Sequence, residues 1–290
     1  MKVSGFTFVR NAVKFDYPVV EGIKSILPIC DEVVVAVGNS EDDTLGLIKS
    51  IGTPKIKIIE TIWDNSQREG GRVYAIETEK ALRACNPESD WRFYMQADEV
   101  FHENDLPLIH KAMLKWKEDK QVDGLVFDHI NFYCTYKYYA DARHWQKKEI
   151  RVIRNNHQIR SYGDAASFRM ANGRKLHCKY VPAMIYHYGW VREPYSMQQK
   201  KIEQNSFHAE TIDKNILPGA VSFDYSGVAT VSLFSGTHPQ EMHERMKRCT
   251  WDLDINKIKR NDSIRRRILD FIYKKTGWNI GGHKNYKLIS

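Results

Sequence analysis

The sequence predicts an α/β fold, a mostly parallel central sheet flanked by helices, and three observations carry that expectation. Short apolar runs alternate with amphipathic helical stretches over the first hundred residues. Within that region, Val33-Val34-Val35-Ala36-Val37 is continuously apolar, as in a strand covered on both faces. Each apolar run also stops abruptly in a polar or glycine-bearing loop.

Taken in order, residues 3–9 alternate loosely and break at Arg10-Asn11, which reads as a first strand. Residues 15–27 then place Val19, Val20, Ile23, Ile26 and Leu27 at helical spacing. The second strand, 31–37, meets Gly38-Asn39-Ser40-Glu41-Asp42-Asp43-Thr44, a turn-rich loop able to cap a helix ending near Ile51. Residues 55–59 form a third strand, 72–85 a helix with Val73, Ile76 and Leu82 on one side, and 91–97 a fourth strand. Such alternation implies parallel strands joined by right-handed crossovers. Beyond residue 100 the pattern loosens to a helix at 105–117, strands at 124–132 and 148–154, an aromatic polar stretch at 133–145 and a polar helix at 194–208. A basic helix at 257–275 follows. With no internal repeat or low-complexity linker, the economical division is one domain over 1–255 and a basic helical extension over 256–290.

The 290 residues, 42% of them hydrophobic, suffice for a large core. No run approaches the roughly 18 apolar residues of a bilayer-spanning helix. The N-terminus is too short and polar for a signal peptide, so a cytoplasmic location is expected. The five cysteines (Cys30, Cys85, Cys134, Cys178 and Cys249) are scattered, which argues against a zinc site or a disulfide framework. The net charge of +8 suits an anionic partner: a nucleotide diphosphate, a phospholipid surface or a nucleic acid. The cations are dispersed and no nucleic-acid-binding motif accompanies them, which disfavours the last.

Chemistry concentrates in Met95-Gln96-Ala97-Asp98-Glu99, where the fourth strand ends in adjacent carboxylates. Four strand ends (Arg10-Asn11, 38–43, Trp63-Asp64-Asn65 and 96–99) should gather on one sheet edge, the usual ligand crevice of a parallel sheet. Carboxylate oxygens there suit a hard divalent cation gripping a phosphate. Arg10, Arg72 and Arg192 are candidate diphosphate contacts, because guanidinium pairs well with phosphate oxygens. Tyr133, Tyr136, Tyr138, Tyr139 and Trp145 could stack on sugar rings or simply pack a core.

The first hundred residues resemble a family 2 glycosyltransferase of the GT-A fold. The resemblance rests on Phe8-Val9-Arg10-Asn11-Ala12, the 31–35 strand with its 38–44 loop, Gly70-Gly71, and Gln96-Ala97-Asp98-Glu99. It implies that 1–100 is the nucleotide-sugar-binding half and 101–255 the acceptor half. The donor contacts it implies fall on Arg10, Asn11, Gly38, Asn39, Ser40, Asp43, Asp64, Gly71, Arg72, Gln96 and Ala97. Asp98 stands at the metal-touching aspartate of the family's Asp-x-Asp, while Gln96 replaces the first aspartate and brings no charge. A single carboxylate underligates a cation, so His187, in Tyr186-His187-Tyr188-Gly189-Trp190-Val191-Arg192, becomes the candidate second ligand. That run resembles a subgroup of the family, and an imidazole would favour Mn2+ over Mg2+.

The activity implied is inverting transfer of a sugar from a nucleotide-diphosphate donor to a glycan or lipid-linked glycan. Such transfer needs a base for the acceptor hydroxyl. Asp164, in Gly163-Asp164-Ala165, is the first candidate, with Glu99 and Asp128 as alternatives. The basic C-terminal helix could rest on anionic lipid at the inner face of a membrane. A nucleotidyltransferase should carry a glycine-rich, cationic phosphate loop after the first strand, and Phe8-Val9-Arg10-Asn11-Ala12 lacks one. A non-catalytic nucleotide- or glycan-binding protein is the other alternative, suggested by Gln96 alone.

Overall fold

The computed structural model describes residues 1–67, 69–206, 221–228, 230–258, 263–277, 279–280 and 284–290. The chain opens as β1 (Val3–Val9), α1 (Val19–Ile26), β2 (Glu32–Gly38), α2 (Thr44–Lys49), β3 (Ile56–Thr61), α3 (Arg72–Ala84) and β4 (Trp91–Tyr94). These four strands are parallel, with Phe6 opposite both Val34 and Tyr94 and Val35 opposite Ile58. There follow β5 (Glu99–Phe101), α4 (Leu106–Trp116), β6 (Gly124–Ala140), β7 (Lys148–Arg154), β8 (Ile159–Tyr162), β9 (Ser167–Met170) and β10 (Leu176–Val191). The remainder is α5 (Pro194–Ser206), β11 (Val231–Leu233), α6 (His243–Met246), α7 (Ile264–Thr276) and β12 (Tyr286–Leu288). The sheet order is β12-β10-β6-β7-β4-β1-β2-β3, with β5 on β10 and β11 on β6. The expected α/β class, a central sheet flanked by helices, is the one the chain adopts.

Both faces of the central strands are covered, which explains their continuous apolar runs. Because side chains alternate along a strand, Val33, Val35 and Val37 join the core that Ile23 and Ile26 of α1, Ile48 of α2 and Ile109 of α4 also fill. Val34 and Ala36 face α3 and the β8–β9 hairpin through Ala81, Leu82, Ile159 and Phe168. Burying each such Val or Ile contributes roughly 1.5–3 kcal/mol. The aromatic stretch is mainly core: Tyr133 and Trp145 pack with Trp190, Phe223 and Tyr225, and Tyr136 packs with Phe132, Tyr186 and Tyr188. All five cysteines are free.

Several boundaries move, each for a local reason. The first helix begins at Val19, after Pro18, because Asn11 and Asp16 take positive φ (54° and 48°) and fold 11–17 into turns. The fourth strand stops at Tyr94, where the Glu99 N–H bonds to the Gln96 carbonyl (3.1 Å) and closes a turn. β6 runs on through the aromatic stretch to Ala140. The polar helix ends at Ser206, and residues 207 and 208 lie outside the described residues. In the C-terminal extension, Ser263 caps α7 and β12 returns to pair with β10. Among the described residues no helix is long and apolar enough to cross a membrane.

Candidate active site

A cavity of about 440 Å³ opens where the parallel strands end, within the size range of small-molecule sites. Its wall joins both halves of the chain: Phe8, Arg10, Trp63, Gln96, Ala97 and Asp98 come from the first hundred residues, and Asp164, His187, Gly189, Trp190, Lys200 and Lys201 from beyond. One side is aromatic. Phe8 and Tyr74 stack at 6.0 Å, Trp63 meets Tyr74 edge-on at 5.6 Å, and the Arg10 guanidinium lies 5.3 Å from the Trp63 ring centre. Gly38 makes this packing feasible, since a Cβ there would lie 2.3 Å from the Trp63 indole nitrogen.

The opposite side is charged. β5 runs antiparallel to β10 with Glu99 opposite His187, so Asp98 arrives beside the imidazole. The Tyr188 N–H donates to the Asp98 carbonyl (2.8 Å) and locks that arrangement. Asp98 Oδ1 lies 3.6 Å from His187 Nε2, and Lys200 Nζ donates to Asp98 Oδ2 at 3.2 Å. Burial alone would raise the Asp98 carboxyl, but its cationic neighbours, Lys200 first and Arg192 further off, hold it well below the usual carboxylate range. Burial pulls Lys200 down to about 7, with Arg192 adding to the shift and Asp98 opposing it.

β10 carries an extra residue between His187 and Trp190, which pair with Asn131 and Tyr133 of β6. Bulges of this kind re-aim side chains near functional sites. Gly189 lies within it, and a Cβ there would sit 2.4 Å from His187 Nε2 and 2.7 Å from Asp98 Oδ2. The space between carboxylate and imidazole is therefore kept open by a glycine. A hard carboxylate oxygen and a borderline imidazole nitrogen bordering that gap suit Mn2+ or a similar divalent ion. No group of three or more His, Cys, Asp or Glu able to hold a metal occurs among the described residues. Other ligands to such an ion would have to be phosphate oxygens or water, as is common when a metal bridges protein and nucleotide.

Asp164 stands on the hairpin turn between β8 and β9, exposed at the cavity wall. Gly163 (φ 68°) and Ala165 (φ 66°) flank it in the left-handed region, an arrangement that costs a non-glycine residue about 1–2 kcal/mol. The Gln96 side-chain amide ties that turn to the strand-end loop through the Ala165 carbonyl (3.4 Å).

Several expected site residues serve other ends. Glu99 is corrected as a base candidate. It is fully buried, its oxygens take Arg151 Nη2 (2.5 Å) and Nε (2.6 Å), and Oε2 also accepts the Gln96 N–H (3.1 Å). Burial would raise its carboxyl, but the Arg151 charge holds it far below the usual range. Asp128 pairs with Lys148 and the Tyr180 hydroxyl, off the cavity wall. Asn11 is buried and accepts the Glu41 N–H (2.8 Å), while Ser40 accepts the Asn11 N–H (3.1 Å). Asn39 accepts the Trp63 N–H (3.1 Å), Asp43 caps α2 at Gly46 (3.1 Å), and Asp64 closes a turn on Ser66 (2.9 Å). Gly71 takes a left-handed φ of 71° at the start of α3. Arg72 lines a separate cavity with Glu79, Arg83 and Arg160. These loops shape the site rather than line it. Arg192 is likewise internal, donating to the Phe15 (2.6 Å) and Gly189 (2.5 Å) carbonyls. Sequence reasoning missed Tyr17, Tyr74, Gly189 and the α5 face bearing Lys200, Lys201, Gln204 and Asn205. The adjacent cations Lys200-Lys201 on an otherwise polar helix were the signal available.

No protein-family model and no curated protein matches the chain. Among solved structures it is similar to residues 1–349 of TarS from S. aureus (13% identity, TM-score 0.40, 71% of this chain and 65% of that one), also solved with UDP. It spans 39% of the longer TarS chain. It is also similar to 4-diphosphocytidyl-2C-methyl-D-erythritol synthase from Anaerococcus prevotii (12% identity, TM-score 0.40, 71% of this chain and 95% of that one). A third likeness is to glucosyl-3-phosphoglycerate synthase from Mycobacterium tuberculosis, solved with Mn2+, UDP-glucose and glycerol 3-phosphate (16% identity, TM-score 0.30, 46% and 44% covered). Likenesses this distant leave the chemistry to be argued from the cavity itself.

Proposed function

We propose that the chain is an inverting glycosyltransferase taking a sugar from a nucleotide-diphosphate donor to a glycan or lipid-linked glycan. The observation that carries this reading is the two-sided cavity, an aromatic wall facing an Asp98–His187–Lys200 cluster. Phe8, Trp63, Tyr74 and Arg10 suit a nucleobase, a flat ring with polar edges. Lys200, held on Asp98, and Lys201 suit the diphosphate as cations on the α5 wall. Asp98 and His187 would hold a divalent cation, which when bound neutralises the charge developing on the departing diphosphate. Asp164, exposed on its strained turn, would take the acceptor hydroxyl proton as that oxygen attacks the anomeric carbon from the face opposite the leaving group. The missing carboxylate at Gln96 is offset in this scheme by His187 and by the amide's grip on the Asp164 turn.

Thermal-shift screening against nucleotide-sugars and free nucleotides, with and without Mn2+, tests the reading, because a ligand of the native state raises the melting temperature. The expected result is a metal-enhanced shift lost in Asp98→Ala. No shift with any nucleotide would sink the proposal, and a metal-dependent shift surviving Asp98→Ala would sink the metal assignment. Asp164→Asn should keep the shift while sugar transfer falls by about 10²–10⁴-fold, the usual contribution of a general base. Normal turnover in Asp164→Asn would move that role elsewhere.

A further inference from the structure

Behind His187 lies a chain of hydrogen bonds that reaches the buried Glu99–Arg151 pair. His187 on β10 is paired in register with Asn131 on β6, and His129 stands two residues earlier on the same face of β6. The Asn131 amide nitrogen lies 2.9 Å from the Gln146 carbonyl, which can only accept, so that atom is the NH2 group. Its other side-chain atom, 3.0 Å from His187 Nδ1, is therefore the carbonyl oxygen. An oxygen there requires the proton to sit on Nδ1 of His187. The same NH2 group lies 3.2 Å from His129 Nδ1, which must accept, leaving His129 Nε2–H to face Glu99 Oε1 at 3.3 Å. Glu99 in turn is clamped by Arg151, the unpaired residue of a bulge between β6 and β7.

We infer that Glu99, His129 and Asn131 are positioning residues that fix His187 as the Nδ1–H tautomer and present its bare Nε2 to Asp98. Two acceptors, Nε2 and Oδ1, then face each other across 3.6 Å with the Gly189 gap beside them. A divalent cation between or beside them would satisfy both acceptors. Partners behind a ligating imidazole orient the ring, set its tautomer and raise its basicity. This inference rests on the reading of Asp98 and His187 as cation ligands. It adds that their competence is set by groups outside the cavity, and that Glu99 acts through His187 instead of as a base.

The test reads the tautomer directly. Histidine side-chain 15N chemical shifts of the metal-free protein should show His187 protonated at Nδ1. Asn131→Leu removes the acceptor and should shift His187 toward Nε2–H, which can donate to Asp98. Mn2+ affinity, measured by electron paramagnetic resonance without substrate, should fall by about 10–100-fold. Asn131→Asp keeps an oxygen facing Nδ1 and should retain both the Nδ1–H tautomer and most of the affinity, a rescue that a merely structural role would not produce. An unchanged tautomer and affinity in a folded Asn131→Leu protein would overturn the inference, as would equal losses in the two variants. If the wild type binds no Mn2+ while the tautomer still switches in Asn131→Leu, the cation reading fails and the positioning chain stands.

Discussion

Glu149 lies on β7 two residues before Arg151, buried, and its Oε2 finds no hydrogen bond among the described residues. Its nearest cation contact is Arg151 Nη1 at 3.9 Å, while Glu99 takes the close bonds. Burial pushes the carboxyl up from 4.5 to about 8, with Arg151 opposing and Glu99 adding to the rise. The folded chain thus keeps a proton that the unfolded chain releases above 4.5, so this group's contribution falls as pH climbs from 4.5 to about 8. Glu149→Gln should leave stability near pH 4 unchanged and add on the order of 4 kcal/mol at pH 8. Urea unfolding of both proteins at pH 4, 6 and 8 measures the difference, and a pH-independent difference would contradict the account. Two glutamates that face the same Arg151, from β5 and β7, thus take opposite protonation states. Neither state is visible in local sequence, because each depends on which carboxylate the Arg151 fork grips.

At the scale of elements, α7 carries an unusual surface. Ile264, Ile268 and Phe271 are 77%, 55% and 64% exposed, and their i, i+4, i+7 spacing puts them on one stripe. Arg265 and Arg267 flank it, while Lys274 pairs with Asp141 (2.6 Å) and Asp270 is buried against the body. We propose that this stripe rests on an anionic bilayer surface, which would bring the cavity to a lipid-linked acceptor. Ile268→Asp/Phe271→Asp should abolish co-sedimentation with phosphatidylglycerol-containing vesicles yet leave transfer to a soluble acceptor intact. Equal partition of wild type and variant onto those vesicles would refute this role for α7. The helices and strands of the first hundred residues were legible because each carries its own periodicity. The first half of β6 is legible at 124–132, but its continuation to Ala140 and the whole of β10 are not, since their aromatic runs pack on each other and on segments a hundred residues away. Asp98, His187, Gln96, Arg10 and Asp164 could be named because strand ends, turns and an unusual aromatic run mark them in sequence. Lys200 sits in the middle of α5 and Tyr74 in the first turn of α3, and only tertiary packing brings them to the cavity.

For the whole molecule, the cavity is a seam. Arg10, Trp63 and Asp98 come from the parallel strands, while β10 and α5 supply the facing wall from more than eighty residues further along. β10 is tied to the strand ends by its pairing with β5, whereas α5 reaches them through polar side chains that include Lys200 on Asp98, Asn11 near Glu203 (3.4 Å) and Lys14 near Glu203 (3.6 Å). A ligand with a base on one side and a diphosphate on the other would therefore tie α5 to the strand ends. Local opening free energy reports such a tie residue by residue. Hydrogen exchange with a nucleotide diphosphate and Mn2+ should slow amides in both 61–67 and α5, with the α5 effect lost when Lys200 and Lys201 are both replaced by Ala. Protection confined to 61–67 would mean that the nucleotide is held by the parallel half alone and that α5 only borders an acceptor. Protection of both segments, abolished by Asp98→Ala as well, would place the diphosphate at the seam and make closure of α5 part of donor binding.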